Sequence, residues 1–230
     1  MKRCVFLLFV LIPLIVSAQK KEIVEAASGD DLTKMASVHM QYLFPEFSTG
    51  DVYYLGMPKG TGMLNYNMLT GEMQFMENGE VRALDNLKKV IVVTINNRKF
   101  YPFGEKEFVE ELLSTPKGQL RVRRKGNVAQ HSKKEAYGTS SSVSSTTSYS
   151  SINTEGQQYK LAVRENVMIT LNYFYYLVGS NEKYVLIRNQ KAFTKQFPEY
   201  KAQIETFVKE HHIDFNSEDD LKALLEYCSK

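Results

Sequence analysis

The chain has 230 residues, of which 43% are hydrophobic, a net charge of +3 and only two cysteines. This length and composition are sufficient for a sizeable core, and the near-neutral charge gives no reason to propose a nucleic acid as the partner. The aromatic residues are 14 Tyr and 13 Phe with no Trp, a composition that favours the half-buried surface of a sheet.

The first 18 residues are typical of an export signal. Two basic residues precede an apolar stretch at residues 5–16, and small residues lead to a cleavage position near Ala18. The apolar stretch is short of the ~20 residues that cross a bilayer, so no transmembrane segment is expected in the mature chain. Cleavage lowers the net charge from +3 to about +1 and leaves Cys228 as the single cysteine, so an intramolecular disulfide is excluded.

The mature chain is predicted to begin with a flexible lead-in, because residues 19–29 are polar and small. Apolar residues then follow a helical spacing from Leu32 to Leu43, and Asp30 or Asp31 is available as the N-cap. This pattern predicts one short helix that ends before Pro45.

From Asp51 the apolar period changes to two, which is the period of strands. A strand at residues 51–57 and a turn at residues 58–60 are predicted to precede a hairpin at 63–75 that turns at Thr70 and Gly71. Further turns are predicted at Asn78 with Gly79 and at Asn96 with Asn97, and the strands that they connect lie at 81–84, 89–95 and 99–103.

The next segment is ambiguous, because residues 108–113 fit a helical face about as well as a strand. A turn at 116–118 followed by strand-like residues 120–125 favours an antiparallel hairpin. Residues 127–156 are rich in Ser and Thr and poor in apolar side chains, so a mobile loop is expected there.

Strands are predicted to resume at 158–163 and 167–178. The second is apolar on both faces, which predicts a central position in the sheet. A strand at 183–188 follows, and then a helical tail. Its apolar stripe runs from Phe193 to His211, Pro198 suits the first position of a helix, and Ser217 suits the N-cap of the last one.

These elements predict an α+β fold: an antiparallel β-meander, as a twisted sheet or partly closed barrel, covered by C-terminal helices. The predicted organisation is a signal peptide at 1–18, a β-rich domain at 19–189 that contains the loop at 127–156, and a helical segment at 190–230 packed on the sheet.

Two parts of the sequence resemble a known group of proteins. The first comprises Tyr-Leu-Phe-Pro-Glu-Phe at 42–47, Leu-Asn-Tyr-Asn at 64–67 and Glu-Met-Gln-Phe at 72–75. It resembles uncharacterised exported proteins of Bacteroidetes-type Gram-negative bacteria. The tail from Phe193 to Tyr227 is similar to a helical C-terminal module of other envelope proteins from these bacteria. The resemblance implies a location, the periplasm or cell envelope, and no activity.

The sequence contains no nucleophile motif, so neither a catalytic residue nor a cofactor is predicted. Cys228 lies on an apolar helix face near the chain end and is predicted to be a buried structural thiol. The segment Lys-Gly-Thr-Gly at 59–62 lacks the spacing of a phosphate-binding loop and is predicted to be a hairpin turn.

One local cluster is rich in metal-ligand types: Glu210, His211, His212 and Asp214. Adjacent residues on a helix point about 100° apart, so both histidines bind one ion only if the helix ends between them. No metal is therefore predicted.

The basic residues concentrate in one place, at Arg121, Arg123, Arg124 and Lys125. On a strand, three of them share a face. One interpretation is a site for an anionic partner, such as lipopolysaccharide phosphates or an acidic protein surface. The other, which the sequence favours, is an exposed edge strand whose charges prevent edge-to-edge association.

Three functions are compatible with these features. The first is a non-enzymatic envelope protein that binds an unknown envelope protein or surface component through a sheet edge or the basic strand. The second is a carrier of an apolar or amphipathic ligand held between sheet and helices, lined by the aromatic residues 173–176. The third and weakest is a hydrolase of envelope polymers. An open cavity favours the carrier, a filled sheet–helix interface favours the binding protein, and a cleft with converging carboxylates or histidines favours the hydrolase.

Overall fold

The computed structural model describes residues 20–26, 30–130, 150–151 and 165–230. The predicted signal peptide at 1–18, its cleavage position near Ala18, the strand predicted at 158–163 and most of the Ser/Thr-rich segment lie outside these residues. The described residues form an α+β fold with one antiparallel sheet and helices at the C-terminus, as predicted.

The sheet contains twelve strands among the described residues. They are β1 (Lys21–Ala26), β2 (Ser48–Tyr54), β3 (Met57–Asn67), β4 (Glu72–Glu77), β5 (Glu80–Ala83), β6 (Val90–Ile95), β7 (Arg98–Phe103), β8 (Glu107–Thr115), β9 (Gly118–Gln130), β10 (Ser150–Ser151), β11 (Glu165–Val178) and β12 (Tyr184–Leu186). The helices are α1 (Leu32–Met35), α2 (Val38–Gln41), α3 (Gln190–Thr194), α4 (Lys201–His211) and α5 (Glu218–Tyr227), with 3-10 turns at Leu87–Lys89 and Pro198–Tyr200.

The strands follow one another in the order β1-β11-β9-β8-β7-β6-β2-β3-β4-β5, while β10 pairs with β9 and β12 with β11. The sheet is not closed, because within the described ranges its end strands β1 and β5 do not pair with each other. Among the helices described, none is both long and apolar enough to cross a lipid bilayer.

The sheet curls so that the tip of the β3–β4 hairpin lies against β8 and β9. The backbone N–H of Gly126 donates to the carbonyl of Leu69 at 2.8 Å, and that of Phe108 donates to Gly71 at 2.7 Å. The Tyr66 hydroxyl donates to the Phe108 carbonyl at 3.0 Å. These hydrogen bonds pair backbone groups that have no partner in the strand pairing, and they stabilise the curled sheet without closing it into a barrel.

Two cores form on the inner side of the curl. The first core lies inside the curled sheet; its largest members include Tyr66, Phe100, Phe108, Ile95, Ile169 and Leu171. The second core lies between the sheet and the C-terminal helices, and it includes Leu120, Val122, Tyr175, Phe193, Ile204 and Leu221. Cys228 belongs to the second core as the buried thiol that the sequence predicts, and burial raises its pKa to about 11.

The flexible lead-in predicted at 19–29 is wrong for residues 21–26, because β1 pairs with β11 along its whole length. Val24 and Ala26 point to the first core, whereas Ile23 on the opposite face is exposed. The sequence of these residues does not alternate clearly, and a strand this short becomes stable only when a neighbouring strand is available to pair with it.

The single helix predicted at 32–43 is also wrong, since the structure contains two one-turn helices. Asp31 caps α1 by accepting from the backbone N–H of Thr33, as expected. The break follows because the backbone N–H and the hydroxyl of Ser37 donate to the carboxylate of Glu22 on β1, at 3.1 and 2.7 Å. This contact to a distant strand ends one helix and starts the next.

The turn predicted at 58–60 is wrong by a few residues. The β2–β3 hairpin turns at Leu55 and Gly56, where Gly56 has a φ of +69°, and β3 runs straight through Pro58. Gly60 lies in the strand opposite Val52. The predicted turns at 78–79 and 96–97 are confirmed, with positive φ at every position, as type I′ hairpins require.

The ambiguous segment is a hairpin, as predicted, formed by β8 and β9. The loop predicted at 127–156 is wrong for residues 127–130, where β9 continues to Gln130 and pairs with β11, and for residues 150–151, which form β10; the rest of this prediction lies outside the described residues. Backbone pairing with a long neighbour thus outweighs the low apolar content of residues 127–130.

Candidate functional site

Strand β9 carries the four basic residues that the sequence singles out. It lies in the middle of the sheet, between β8 and β11, so the interpretation as an exposed edge strand is wrong. Alternation along the strand places Arg121, Arg123 and Lys125 on one face and Arg124 on the other. We name the face of Arg121 the outer face, and the face of Arg124, which continues into both cores, the inner face.

On the outer face, two of these cations converge on Glu107 of β8. Arg123 Nη2 and Lys125 Nζ donate to Glu107 Oε1 at 3.0 and 2.7 Å. Burial raises the pKa of Glu107, but the hydrogen bonds from the two cations outweigh burial and hold this pKa below its ordinary value. Arg123 and Lys125 are therefore both already engaged by a carboxylate of their own chain.

Arg124 lies on the inner face between the two cores and is 3% exposed. Its Nη1 donates to Glu110 Oε2 at 2.5 Å, and Arg98 Nε donates to the other oxygen of this carboxylate. A binding partner reaches Arg124 only by opening the core. This ion-pair network is therefore part of the internal framework of the protein.

Arg121 differs from the other three, because among the described residues no carboxylate lies within 4.0 Å of its guanidinium. The guanidinium lies 3.6 Å from the ring centroid of Tyr101, a cation–π contact. It donates to Gln119 Oε1, at 3.1 Å from Nε, and to the Tyr184 hydroxyl. Arg121 is only 8% exposed, so these contacts within the described part of the chain, and not a partner's anion, account for its charge.

The aromatic residues 173–176 do not line one groove, because successive side chains of β11 alternate between the faces. Tyr173 and Tyr175 pack in the second core. Phe174 lies 5.7 Å from the Arg123 guanidinium on the outer face, and Tyr176 packs against Phe103 at 5.4 Å. These aromatic side chains are therefore accounted for by packing.

The interface between the sheet and the C-terminal helices is filled. The side chains that meet there are completely buried, among them Leu120, Val122, Phe193, Ile204, Leu221, Leu224 and Leu225. A depression of 570 Å³ beside α3 and α4 opens on the protein surface and is lined by Lys191, Lys195 and Lys201 among others. It is thus separate from the sheet–helix interface, where a carrier's cavity was expected.

Exposed apolar side chains concentrate on strands β2 to β6 and their turns. Of the ten large apolar side chains that are exposed in the described residues, seven lie there: Tyr53, Leu55, Met57, Met63, Met76, Val81 and Ile91. We name these seven residues the apolar patch. The patch is not predicted by the sequence, since alternation identifies two faces of a strand without showing which of them is covered.

Three members of the apolar patch form a continuous row. Met63 of β3 pairs directly with Met76 of β4, and Met76 pairs with Val81 of β5. Their exposed fractions are 43%, 44% and 45%. Directly paired side chains on adjacent strands are close enough to contact, so the row is one apolar strip that ends at strand β5.

The histidines at the end of α4 are engaged in local structure. His212 is the C-cap with a left-handed φ of 51°, and the His211 ring packs on Phe207 at 4.2 Å. Within the part of the chain that the structure describes, no three His, Cys, Asp or Glu side chains converge in a way that could hold a metal ion.

Comparison of the chain with protein-family models, with curated proteins and with solved structures finds no match. The resemblance to exported envelope proteins therefore stays a prediction. The features of the described residues that bear on function are a filled interior and an exposed apolar patch.

Proposed function

We propose that the protein is a non-enzymatic, exported protein of the cell envelope that binds a partner protein through the apolar patch. The observation that carries this proposal is the concentration of seven of the ten exposed large apolar side chains in one part of the sheet. Scattered apolar residues are normal on protein surfaces, whereas a concentration of them marks an interaction site. Three of the seven are methionines, whose flexible side chains adapt to a partner's surface.

Export is supported by the composition of residues 1–18 and by the way the mature chain is stabilised. The two cores contain a single free thiol, Cys228, and it is buried. A fold stabilised by packing, with no reactive thiol at its surface, is compatible with an oxidising compartment.

A second candidate function, a carrier of an apolar ligand between sheet and helices, is less well supported. A drug-sized ligand needs a cavity of roughly 300–1,000 Å³ that encloses most of its surface. Side chains that are completely buried occupy the sheet–helix interface instead.

The proposal is tested by photo-crosslinking in the native cells. A photoreactive amino acid replaces Met76 in the full chain, and a matched control carries it at Val38 on α2, which is also apolar and exposed. We expect a discrete crosslinked protein from position 76 and none from position 38. Met63→Glu is expected to abolish the crosslink, whereas Val38→Glu preserves it.

Three results contradict the proposal. The same products from both positions mean non-specific contact, and no protein product from position 76 means that the patch does not bind a protein. Crosslinking to lipid or glycan alone replaces a protein partner with a surface component. Export is tested separately by N-terminal sequencing of the purified protein, for which a start near Gln19 is expected; a chain that retains residues 1–18 refutes cleavage.

A further inference from the structure

The strand at the end of the apolar row has an unused side. Within the described residues, β5 pairs only with β4. The backbone N–H of Leu84 donates to Met73 at 2.8 Å, and hydrogen-bonded pairs alternate along an antiparallel ladder. The pairs that bond across β4 and β5 are therefore Phe75 with Arg82 and Glu77 with Glu80. The N–H and C=O groups of Val81 consequently point away from β4.

A second copy that pairs with this edge under two-fold symmetry has four registers available. The symmetry axis passes beside Glu80, Val81, Arg82 or Ala83, because these four residues form the strand. With the axis at Glu80, two glutamates face each other. With the axis at Arg82, two arginines face each other. With the axis at Ala83, Val81 faces Asp85 of the second copy and the charges of Glu80 and Arg82 face uncharged residues.

The register with the axis at Val81 is the one in which the charges match. Glu80 of each copy then lies opposite Arg82 of the other, which forms two cross-strand ion pairs. Val81 lies opposite Val81 of the second copy, and both present the outward N–H and C=O groups that a hydrogen-bonded antiparallel pair requires. The backbone groups permit this register, and among the available registers the charges favour it.

We propose that β5 binds a second copy of this chain as an antiparallel strand, with Val81 opposite Val81. This inference rests on the proposed function of the apolar patch, and it assigns the row of Met63, Met76 and Val81 to self-association. In the pair, the row of Met63, Met76 and Val81 continues directly into the same row of the second copy. The two rows form one apolar strip of six side chains that crosses the symmetry axis.

Charged side chains on an edge strand generally prevent association with another strand, but the charges on β5 differ from that case. An edge that carries charges of one sign repels its own copy. This edge carries Glu80 and Arg82, which have opposite signs and are complementary under two-fold symmetry. Arg82 contacts Glu77 and Glu80 of its own chain at 3.1 Å, but all three side chains are more than half exposed, so these contacts are weak and exchangeable.

The test uses two charge reversals in the full chain, Glu80→Lys and Arg82→Glu, with oligomeric state measured by sedimentation velocity over a range of concentrations. We expect a concentration-dependent dimer for the unmodified protein. Each reversal turns two attractive pairs into two repulsive ones, so self-association is expected to weaken about tenfold or more. Because the altered side chains are exposed, the melting temperatures of both variants are expected to stay close to that of the unmodified protein.

Mixing the two variants makes the test specific. In a mixed pair, Lys at position 80 faces Glu at position 82, and Arg at position 82 faces Glu at position 80, so an equimolar mixture is expected to regain the affinity of the unmodified protein. A local folding defect in either variant cannot produce this rescue.

Crosslinking then tests the register. A cysteine at the axis, Val81→Cys, is expected to form a disulfide-linked dimer on mild oxidation, because the α-carbons of a hydrogen-bonded antiparallel pair are about 5.5 Å apart. The matched off-axis variant, Glu80→Cys, is expected to do so far less. The native Cys228 is buried and does not interfere.

A monomer at every concentration overturns the inference, as does a dimer that is insensitive to Glu80→Lys or that mixing does not restore. These outcomes are distinct from failure of the proposed function. If the unmodified protein is monomeric but position 76 still crosslinks to another envelope protein, self-association is refuted and the binding function stands. If the dimer forms but no other protein crosslinks, the patch serves self-association alone.

Discussion

The buried ion pair between Arg124 and Glu110 provides the most direct test of how the two cores are joined. Both side chains are almost completely shielded from solvent, at 4% and 2% exposure. Glu110 also accepts from Arg98, which is 37% exposed. The change that we consider is Glu110→Leu, which leaves Arg124 as an uncompensated charge between the cores while Arg98 can turn to solvent.

The expected loss in the free energy of unfolding is about 3–5 kcal/mol, which is typical when one partner of a buried ion pair is removed. Arg124→Met is expected to lose less, because Glu110 keeps its contact with Arg98. The double variant Glu110→Leu with Arg124→Met removes both buried charges and fills the space with apolar side chains. We expect it to be more stable than Glu110→Leu alone by about 2 kcal/mol or more.

The assay is equilibrium unfolding in urea, with all four proteins of the double-mutant cycle measured at one pH and one salt concentration. The reasoning is refuted if Glu110→Leu loses less than about 1 kcal/mol, which is the size of a surface pair. It is also refuted if the double variant is no more stable than Glu110→Leu, since the penalty would then come from lost packing and not from the unpaired charge of Arg124.

Three further predictions concern stability. Gly50→Ala is expected to lower the free energy of unfolding by about 1–3 kcal/mol, because an added Cβ lies 2.6 Å from the carbonyl oxygen of Thr94. Its cross-strand partner Gly62 has open space, so Gly62→Ala is the matched control. Equal losses in the two variants contradict the steric reason. Tyr66→Phe is expected to lose about 1–3 kcal/mol in urea unfolding, because its buried hydroxyl donates to a backbone carbonyl; an unchanged midpoint would show that water satisfies this carbonyl. The folded-state pKa of Glu107 lies below its ordinary value of 4.5. The ionised carboxylate therefore contributes to the stability of the fold above pH 4.5, and this contribution is lost as the pH falls through the folded-state pKa. Glu107→Gln should therefore be less stable than the unmodified protein at pH 7 and approach it in strongly acidic urea titrations, and a difference that stays constant with pH refutes this assignment.

The candidate site shows where sequence reasoning reached its limit. Alternation correctly placed Arg121, Arg123 and Lys125 on one face of a strand. Whether that strand lies at an edge depends on which other strands pair with it, and β11, which lies more than thirty residues further along the chain, covers its side. The carboxylates that pair with Arg123, Arg124 and Lys125 are Glu107 and Glu110 of the neighbouring strand. These ion pairs depend on the register between β8 and β9, which cannot be obtained by counting charges in the sequence.

The local chemistry of the chain determined most of its elements without reference to the rest of the protein. Asn78 with Gly79 and Asn96 with Asn97 form turns because these residues tolerate a positive φ, and Ser217 caps α5 because its side chain accepts from a backbone N–H. These interactions span a few residues, so they can be read from the sequence directly.

Tertiary structure alone decided the remaining features, because each depends on groups that are distant in sequence. Glu22 of β1 divides the N-terminal helical segment by accepting hydrogen bonds from Ser37. Residues 21–26 have no strong strand pattern of their own, and they form β1 because β11 is available to pair with them. The curl of the sheet selects which face of each strand is buried, and so leaves Met63, Met76 and Val81 exposed. Alternation in the sequence defines two faces for a strand, but only the packing of the whole sheet determines which face remains available to a partner.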